Sequence, residues 1–544
     1  MTATIRNPIL PGFNPDPSIC RAGDDYYIAT STFEWYPGVQ IHRSKDLVNW
    51  KLACRPLDRA SQLDMRGNPD SCGIWAPCLS YADGLFWLVY TDVKRLDGNF
   101  KDAHNYIVTA PSIEGPWSDP FYVNSSGFDP SLFHDDDGRK WFVNMVWNHV
   151  SHGIGGQPKH PSFAGILLQQ WDHDAGRLVG PVTNIFPGSA HGLVEAPHLY
   201  KRNGWYYLTT AEGGTGYDHA VTMARSRKIE GPYELHPLIH PITSKDAPDA
   251  ILQRAGHGQI VETPDGQTYH THLCSRPLPG TRRSPLGRET GIQKCEWRDD
   301  GWLYLADGGQ VPSVEVPAPG DAAEPPAFVG VRRDFEDATL PPEFQWLRSP
   351  YPDRLFSLSD TPGRLTLFGR ESVGSWFEQS LVARRQEHFS FRVETTVDFL
   401  PDTFQQAAGL VHYYNRHKFH FLAVSHDAAL GRVLTVMSCP GDWPDGRLTF
   451  PLDAQIPLPP AGPIGLALEI DGAVTRLFYR SGTNWSRLGV ELDASLISDE
   501  AGRGEHGSFT GAFIGMAAFD TSGRAAKARF HHFVYAPLEA TGSH

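Results

Sequence analysis

The sequence contains no long hydrophobic run and no basic run, and these absences exclude several classes of protein. No segment of its 544 residues approaches the ~18 consecutive apolar residues that a membrane-spanning helix requires. Lys and Arg number 48 against 62 Asp and Glu, so the formal net charge is −14, and no Lys/Arg-rich segment occurs. This charge argues against nucleic acid and anionic membrane surfaces as partners, whereas a neutral sugar or polysaccharide is compatible with it.

Cysteine is scarce and follows no pattern. The seven cysteines are odd in number and form no CxxC pair: Cys20, Cys54, Cys72, Cys78, Cys274, Cys295 and Cys439. They argue against a disulfide framework and a structural zinc site, and they fit reduced thiols in the cytoplasm. The N-terminal segment MTATIRNPILPGFNPD lacks the apolar core of a signal peptide. We therefore expect a soluble cytoplasmic protein.

What the sequence does contain is an internal repeat. The segment GFNPDPSIC at 12–20 returns as GFDPSLF at 127–133, and five related units begin at Asp16, Trp75, Asp129, Glu195 and His257. Each unit has a turn-forming start, a short apolar strand, a polar hairpin turn and a strand rich in aromatic and β-branched residues. The starts lie 59, 54, 66 and 62 residues apart, enough for a four-stranded sheet and a loop. Five such sheets around one axis predict a five-bladed β-propeller in an all-β protein.

The five starting residues are the first candidates for a functional site. Each lies nine positions before its hairpin turn, so we expect them to be equivalent and to face one another around the mouth of the central channel. Three carboxylates, one Trp and one His are the contents of a catalytic pocket. The alternative is that the carboxylates only cap turns, which is a common use of Asp beside Pro.

The length of the chain indicates a second domain, since one compact core rarely extends so far. We assign residues 1–315 to the propeller and residues 316–330, rich in Pro and Ala, to a linker. Residues 331–544 alternate in short strands, which predicts a β-sandwich of the concanavalin or jelly-roll type. This domain either supports the propeller or reaches over its mouth.

The carboxylates suggest glycoside hydrolysis, which needs one acid to protonate the leaving oxygen and one base on the other side of the bond. Asp16 and Glu195 fall in blades one and four, which are not adjacent, so a water fits between them. Asp129 falls in blade three, and like-charge repulsion from it would raise the pKa of Glu195. A sugar-binding propeller without catalysis is the alternative from another functional class.

Other residues are candidates for binding. Trp75 and Phe33 either stack on a sugar ring or pack in the core. His257 is flanked by glycines and either binds a water or a hydrated cation such as structural Ca²⁺ on the propeller axis, or fills the channel. Arg288 either binds the substrate through its fork of donors or forms a surface salt bridge. We expect no required cofactor and no other metal site.

The motifs also carry a resemblance. The segments NPILPGFNPDPSICRAGDDYYIATSTFEWYPGVQ, IWAPCLSYADGLFWLVYTD, GFDPSLFHDDDGRKW, EAPHLYKRNGWYYL, AEGGTGYDHA, AGHGQIV and PLGRETGIQK resemble the β-xylosidases of glycoside hydrolase family 43. The resemblance implies a propeller with an appended sandwich and an inverting exo-hydrolase. The implied reaction releases D-xylose from non-reducing ends of β-1,4-xylo-oligosaccharides, with α-L-arabinofuranosidase side activity. An arabinofuranosidase or arabinan-degrading hydrolase is the nearest alternative, and we expect a homo-oligomer, a dimer or a tetramer.

The resemblance also implies roles for single residues. Asp16 corresponds to the general base, Glu195 to the general acid and Asp129 to the carboxylate that tunes and orients the acid. The positions that match sugar-contacting residues are Phe33, Trp75, Thr215, His257 and Arg288, together with Phe509 in GSFTGAF, an aromatic at the pocket rim contributed by the sandwich. The sequence departs from the family at Ala196, where EGPHLY is more frequent than EAPHLY, and the extra methyl narrows the backbone options beside the acid.

Overall fold

The computed structural model describes residues 3–96, 100–150, 162–325, 327–441, 447–502 and 508–538. Nearly all regular structure in these residues is β-strand. The chain divides into two compact units: the first contains 1–63, 71–276 and 288–325, and the second contains 64–70, 277–287 and 326–544. No helix in the described part of the chain is long and apolar enough to cross a membrane.

The strands of the first unit follow one another in short hairpins. In chain order they are β1 (Thr4–Arg6), β2 (Ser18–Ala22), β3 (Asp25–Thr30), β4 (Trp35–Tyr36), β5 (Gln40–Ser44), β6 (Lys51–Cys54), β7 (Gly73–Ala82), β8 (Leu85–Arg95), β9 (Asp102–Ala110), β10 (Phe121–Asn124), β11 (Ser131–His134), β12 (Lys140–Trp147), β13 (Phe163–Asp172), β14 (Arg177–Phe186), β15 (Glu195–Arg202), β16 (Trp205–Glu212), β17 (Ala220–Ser226), β18 (Glu234–Leu235), β19 (Ile242–Thr243), β20 (Gln253–Gly256), β21 (Ile260–Glu262), β22 (Thr268–Ser275), β23 (Glu289–Trp297), β24 (Leu303–Leu305) and β25 (Glu315–Pro317).

Five antiparallel sheets built from these described strands are the blades of the propeller, as predicted. Their strand orders are β2-β3-β5-β6, β7-β8-β9-β10, β11-β12-β13-β14, β15-β16-β17-β18 and β20-β22-β23-β24, with β19 pairing with β17 and β21 with β22. Each blade begins with the short apolar strand of one sequence repeat. The repeat therefore predicts the blade order correctly.

Tight turns explain why the first two strands of a blade pair in a defined register. In blade two Asp83 and Gly84 have φ of 55° and 75°, and in blade four Asn203 and Gly204 have φ of 50° and 72°. Positive φ at both central residues defines the type I′ turn, whose twist matches that of a two-residue hairpin. The repeated Gly thus sets the hairpin, and the apolar alternation sets which face is buried.

The ends of the first unit meet and close it. β1 pairs antiparallel with β25, so residues 315–317, at the start of the predicted linker, belong to a strand. Asn7 adds a second contact, because its amide donates to the carbonyls of Ile292 at 2.8 Å and Ser313 at 2.9 Å. Blade five is thereby bound to the N-terminal segment.

Apolar side chains of neighbouring blades pack against each other. Between blades two and three the buried cluster consists of Cys78, Trp87, Val89, Ile107, Leu132, Phe142 and Trp171. Large aromatic residues fill this wedge, which agrees with their enrichment in the second strand of each repeat. The core of the propeller is therefore a series of interfaces between blades.

The second unit is a β-sandwich, as predicted. Its strands are β26 (Val331–Arg333), β27 (Gln345–Leu347), β28 (Phe356–Ser357), β29 (Leu365–Phe368), β30 (Ser380–Arg385), β31 (Ser390–Asp398), β32 (Gln406–Asn415), β33 (Lys418–Asp427), β34 (Gly431–Pro440), β35 (Ile456–Pro457), β36 (Ile464–Asp471), β37 (Val474–Arg480), β38 (Ser486–Asp493), β39 (Phe513–Asp520) and β40 (Lys527–Pro537). Short 3-10 turns occur at Pro352–Arg354 and Ala494–Leu496.

Two sheets enclose one apolar core in this unit. One has the order β28-β29-β40-β31-β36-β37-β38, with β26 beside β40, and the other has the order β35-β34-β33-β32-β39-β30-β27. Strand β31 buries every second residue, the pattern of a strand with one face in the core. The core includes Val393, Leu466 and Phe530 of the first sheet and Leu410, Leu422 and Ile514 of the second.

Gly258 offers a test of the packing at the start of blade five. A Cβ at this position would lie 1.8 Å from the carbonyl oxygen of Thr271 in β22, a backbone atom that cannot turn away. We expect Gly258→Ala to destabilise the protein by about 1–3 kcal/mol, the usual cost of overpacking. Thermal and urea unfolding measure this cost. Gly320→Ala is the control, since nothing lies within 4 Å of its added methyl, and equal stability of the two variants would contradict the prediction.

Candidate active site

The five repeat-start residues lie at the beginnings of the inner strands of the blades. Asp16 and Asp129 each precede the first strand of their blade by two residues, Glu195 is the first residue of β15, Trp75 lies within β7, and His257 lies between β20 and β21. All five are at least nine-tenths buried. The short distance from each strand start restricts them to one end of the propeller.

The pairing registers correct the predicted equivalence of these residues. The hairpin pairs Ala22–Asp25, Ala82–Leu85 and Arg202–Trp205 place Asp16, Ala76 and Ala196 at the same position. Each of these three residues precedes a proline and has a positive φ, of 57°, 34° and 51°. Trp75 and Glu195 stand one residue earlier, so the prediction of five equivalent residues was wrong for blades two and four.

A bulge lies at this point in each of the first four blades. In blades one and three the carbonyls of Pro15 and Phe128 accept from the N–H groups of Ser31 and Met145, where Trp75 and Glu195 pair in blades two and four. The ladder shifts register between Trp75 and Cys78 and again between Glu195 and His198. The blades therefore differ in which residue of the bulge carries the functional side chain.

A β-bulge leaves residues unpaired, bends the strand and re-aims its side chains. Ala196 has a φ of 51°, a backbone conformation that glycine adopts without strain. The Ala at this position, where Gly is more frequent in the family, therefore adds a methyl group to a left-handed residue.

Asp16 is held by two strong hydrogen bonds. The Arg288 guanidinium donates to its Oδ1 at 2.6 Å, and the Ser31 hydroxyl donates to its Oδ2 at 2.7 Å. His257 Nδ1 lies 3.5 Å from Oδ1. The Ser31 oxygen in turn accepts from the Ala76 N–H at 2.8 Å, which links blade one to blade two. Ser31 was not predicted, because no motif or spacing distinguishes it from the other hydroxyl residues of ATSTF.

Glu195 and Asp129 form a coupled pair of buried carboxyl groups. Burial, and after it the negative charge of Asp16, raises the pKa of Glu195 to about 8, while Arg288 and Lys101 oppose this rise. Burial, Glu195 and Asp16 together raise the pKa of Asp129 well above its usual range. The main cause is thus burial, which the sequence does not reveal. Glu195 is a carboxylic acid that keeps its proton at neutral pH.

Asp129 also lies close to the backbone beside the acid. The backbone N–H of Ala196, the residue that follows Glu195, lies near enough to the Asp129 carboxyl to oppose the rise of its pKa. Burial, and after it repulsion from Glu195, raises the pKa of Asp129, whereas burial and the charge of Asp16 raise the pKa of Glu195, so the expected tuning and orienting role of Asp129 stays a prediction.

Aromatic rings form a wall next to the carboxylates. The ring centroids are 5.6 Å apart for Phe13–Phe33, 5.8 Å for Phe33–Trp75, 5.4 Å for Trp75–Phe128 and 6.2 Å for Phe128–Trp147. Of these residues only Phe33 and Trp75 were predicted. Flat apolar faces beside carboxylates suit a sugar ring, whose C–H groups stack on aromatics and whose hydroxyls accept and donate hydrogen bonds.

Lys101 is a charged member of this wall that sequence reasoning missed. Its Nζ lies 4.4 Å from the ring centroid of Trp147, 5.7 Å from that of Trp75 and 5.9 Å from that of Phe128. The faces of aromatic rings attract cations, so the wall holds the ammonium group near Glu195. Lys101 precedes β9 in a polar segment without a motif, and only the fold brings it to the site.

The structure also places the remaining predicted residues. The Arg288 guanidinium lies over the Phe33 ring at 5.3 Å, so these two residues and Asp16 form one cluster. Burial lowers the pKa of His257 to about 3, which keeps its ring neutral, and the ring lies 6.4 Å from that of His198. Thr215 is half-buried in the loop after β16, where its carbonyl accepts from Arg254 Nε at 2.8 Å.

Phe509 and the axial cation are the two assignments that the geometry of the first unit leaves open. Phe509 belongs to the second unit and is half-buried shortly before β39, so its position at the pocket rim stays a prediction. The described residues contain no group of three or more His, Cys, Asp or Glu side chains arranged to hold a metal ion. The cation expected near His257 stays a prediction.

The arrangement is suited to acid–base chemistry on a bond between sugars. Glu195 holds a proton at neutral pH, and Asp16 is an acceptor fixed by an arginine and a serine. General acid–base catalysis requires such a pair, with the acid protonated and the base oriented. A binding protein has no need for a buried carboxyl with a raised pKa.

Known proteins share both units. Residues 5–303 match the family Glycosyl hydrolases family 43, and residues 332–536 match the Beta xylosidase C-terminal Concanavalin A-like domain. The chain is 59% identical to Xylosidase/arabinosidase 43B of Humicola insolens, over 98% of each chain. It is 48% identical to Beta-xylosidase of Bacillus subtilis (strain 168), over 98% of this chain and 99% of the relative. The crystal structure of xylan beta-1,4-xylosidase from Bacillus halodurans C-125 is 49% identical, with a TM-score of 0.93 over 98% of this chain and 100% of that one.

The pKa of Glu195 is directly testable. Lys101 lowers it, so Lys101→Met, which removes the charge and keeps the length, should move the pKa above about 8. Carbon-13 NMR of carboxyl-labelled glutamate measures this pKa, and Glu195→Gln identifies the resonance. Lys140→Met is the control, because this lysine pairs with Asp83 at the opposite end of blades two and three. An unchanged or lower Glu195 pKa in Lys101→Met would contradict the assignment.

Proposed function

This chain belongs to glycoside hydrolase family 43, and from that membership we infer that it is an exo-acting, inverting glycoside hydrolase. It releases D-xylose from the non-reducing ends of β-1,4-xylo-oligosaccharides. The observation that carries the proposal is the pairing of Glu195, whose pKa is raised to about 8, with Asp16, which Arg288 holds at 2.6 Å. Relatives that share almost the whole chain and bear the names xylosidase and β-xylosidase support the substrate.

In the proposed mechanism the two carboxyl groups act on opposite sides of the glycosidic bond. Glu195 donates its proton to the leaving oxygen, and Asp16 accepts a proton from the water that attacks the anomeric carbon. Burial suits Glu195 to the first role, because it favours the uncharged form until the proton is needed. The hydrogen bonds from Ser31 and Arg288 suit Asp16 to the second role, because they fix the direction of its free lone pairs.

The same pocket supplies the binding groups. The rings of Phe33 and Trp75 offer faces for the xylose ring, and Arg288 has donors for its hydroxyls beside the bond to Asp16. His257 is neutral and lies at the same carboxylate. None of these steps requires a cofactor, and a cation bound through water near His257 stays a prediction.

A second activity is supported by the name of a relative. The protein of Humicola insolens is named as a xylosidase and an arabinosidase, and we propose α-L-arabinofuranosidase side activity for this chain. Chromogenic β-D-xyloside and α-L-arabinofuranoside assayed side by side give the ratio of the two activities. Turnover of the arabinofuranoside alone would favour the alternative of a dedicated arabinofuranosidase, and turnover of neither would favour a sugar-binding propeller.

We also propose that the protein works as a homo-oligomer, a dimer or a tetramer, in the cytoplasm. All seven cysteines are free thiols, which agrees with a reducing compartment. Light scattering coupled to size-exclusion chromatography measures the oligomeric state.

The role of the acid predicts a dependence on the leaving group. Glu195→Gln should lower turnover of xylobiose roughly 10²-fold to 10⁴-fold, the usual contribution of positioned proton transfer. The loss should be much smaller with dinitrophenyl xyloside, whose phenolate leaves without protonation. Glu262→Gln is a matched control, because this glutamate pairs with Arg202 on the surface. Equal losses on both substrates would contradict the acid role of Glu195.

The stereochemical outcome tests the base. A retaining enzyme needs its carboxyl groups about 5 Å apart, whereas an inverting one needs roughly 6.5–9.5 Å to admit a water. Since Asp16 and Glu195 belong to non-adjacent blades, xylobiose should first release α-xylose from the cleaved end. Proton NMR of the anomeric signals in the first minutes of hydrolysis detects it. Early β-xylose from that end would rule out single displacement, and with it the base role of Asp16.

A further inference from the structure

Glu212 is a buried carboxylate outside the catalytic pair. It is the last residue of β16 and has no exposed surface. Its Oε1 accepts from the backbone N–H of Ser189 at 2.6 Å, and its Oε2 accepts from the hydroxyls of Ser189 and, at 2.9 Å, of Thr222. No ion pair with Glu212 occurs within the described ranges of the chain. Burying a carboxylate without a neighbouring cation costs free energy unless its oxygens accept good hydrogen bonds. The donors around Glu212 supply those bonds, and their arrangement indicates a role for this residue.

The hydrogen bonds between Ser189 and Glu212 hold the loop that leads to Glu195, the proposed general acid. Ser189 lies six residues before Glu195. Its hydroxyl accepts from the N–H of His191 at 3.1 Å and its carbonyl accepts from the N–H of Gly192 at 3.2 Å, so it organises a tight turn. The Gly192 carbonyl accepts from the N–H of Gly213 at 2.9 Å, next to Glu212. Glu212 and Gly213 thus hold both ends of this turn.

The hydrogen bonds around Glu212 have a fixed direction. The Thr222 hydroxyl has one proton and donates it to Glu212, so the contact of 3.0 Å between Thr222 and His240 Nδ1 requires the imidazole to donate. Burial lowers the pKa of His240 to about 4, so the ring is neutral with its proton on Nδ1. His240, Thr222 and Ser189 all donate towards an acceptor. The side chain of Glu212 offers an acceptor oxygen at both positions, whereas a glutamine would offer one acceptor and one donor.

The acid itself lies beside this network. Glu195 pairs with Ala211, the residue before Glu212, and the ladder then breaks until His198. The bulge leaves the acid with few strand hydrogen bonds of its own. The Asp129 carboxyl lies near the N–H of Ala196, just after Glu195 in the chain, and the loop from Ser189 leads into Glu195 from before it. The direction of the Glu195 side chain therefore depends on where that loop is held.

We propose that Glu212 is a positioning residue for the general acid, acting through Ser189 and the 189–194 loop. The inference rests on the proposed hydrolase function and adds a residue to its machinery. Both Glu212 oxygens are occupied by the loop and by Thr222, so Glu212 acts on Glu195 through the backbone. Loosening the loop should misplace the proton donor while the base and the sugar-binding wall stay in place.

The experiment compares two substrates in Glu212→Gln and in Ser189→Ala. The amide of Gln places a donor where an acceptor is needed, and Ser189→Ala removes the hydroxyl but keeps the backbone contact. For xylobiose, which needs protonation, we expect kcat to fall about 10-fold to 100-fold, the scale of a misplaced catalytic group. For dinitrophenyl xyloside, which does not, the fall should stay within about threefold on the same reasoning. The double variant should lose little more than Glu212→Gln alone, since both changes break one contact.

Asp135→Asn is the matched control. Asp135 is also a buried carboxylate, with hydrogen bonds from Lys201 at 2.6 Å and Tyr206 at 2.8 Å. It lies six residues after Asp129, about 20 Å along the strand direction and away from the site. Its loss should affect both substrates equally. Thermal unfolding of each variant shows whether it is folded, and if Glu212→Gln is not, Ser189→Ala decides the question.

The outcomes separate the two proposals. Equal losses on both substrates in Glu212→Gln and Ser189→Ala, or no loss on either, would overturn the positioning role. If Glu195→Gln still loses more turnover on xylobiose than on dinitrophenyl xyloside in the same assays, the proposed hydrolase function stands even when the positioning role of Glu212 fails. If the unaltered protein hydrolyses neither substrate, the proposed function fails first. A loss confined to xylobiose supports the positioning role.

Discussion

The buried ion pair between Arg288 and Asp16 is the interaction on which the site depends. The two residues are 272 positions apart and meet at 2.6 Å with almost no exposed surface. The bond therefore joins the end of the propeller sequence to its beginning. A buried ion pair contributes little net stability, but removing one partner leaves an uncompensated charge. Its value here is orientation, because the bonds from Arg288 and Ser31 engage both carboxylate oxygens of Asp16 and fix the direction of the lone pairs that remain free.

The three carboxyl groups differ because their surroundings differ. Asp16 has an arginine and a hydroxyl, whereas Glu195 and Asp129 are buried with less compensation, which raises the pKa of each. Arg288 and Lys101 limit the rise for Glu195. A site with three acidic groups and two nearby cations can thus hold a proton on one carboxyl and a negative charge on another at the same pH.

The blades of the propeller differ in which residue of the starting bulge carries the functional side chain. In blades one and three an Asp occupies the left-handed position before proline, and in blades two and four an Ala does, with the functional side chain one residue earlier. A bulge frees that side chain from strand alternation, but it also removes ladder hydrogen bonds. Next to Glu195, the hydrogen bonds from Ser189 to Glu212 hold the loop that leads into the bulge. The repeat supplies similar scaffolds, and the side chains placed at each bulge make the blades chemically different.

The sequence by itself determined the five blades, the sandwich and the identity of the predicted carboxylates. These features depend on local properties, namely the spacing of turn residues, apolar alternation and motifs read in order. Only the tertiary structure decided that Trp75 and Glu195 stand one residue before the positions equivalent to Asp16 and Asp129. It also showed that burial is the largest cause of the raised pKa of Glu195. Finally, it placed Ser31, Lys101 and Glu212 near the acid or the base. Burial and Coulomb interactions depend on distances between residues that lie far apart in the chain, and no local pattern encodes those distances.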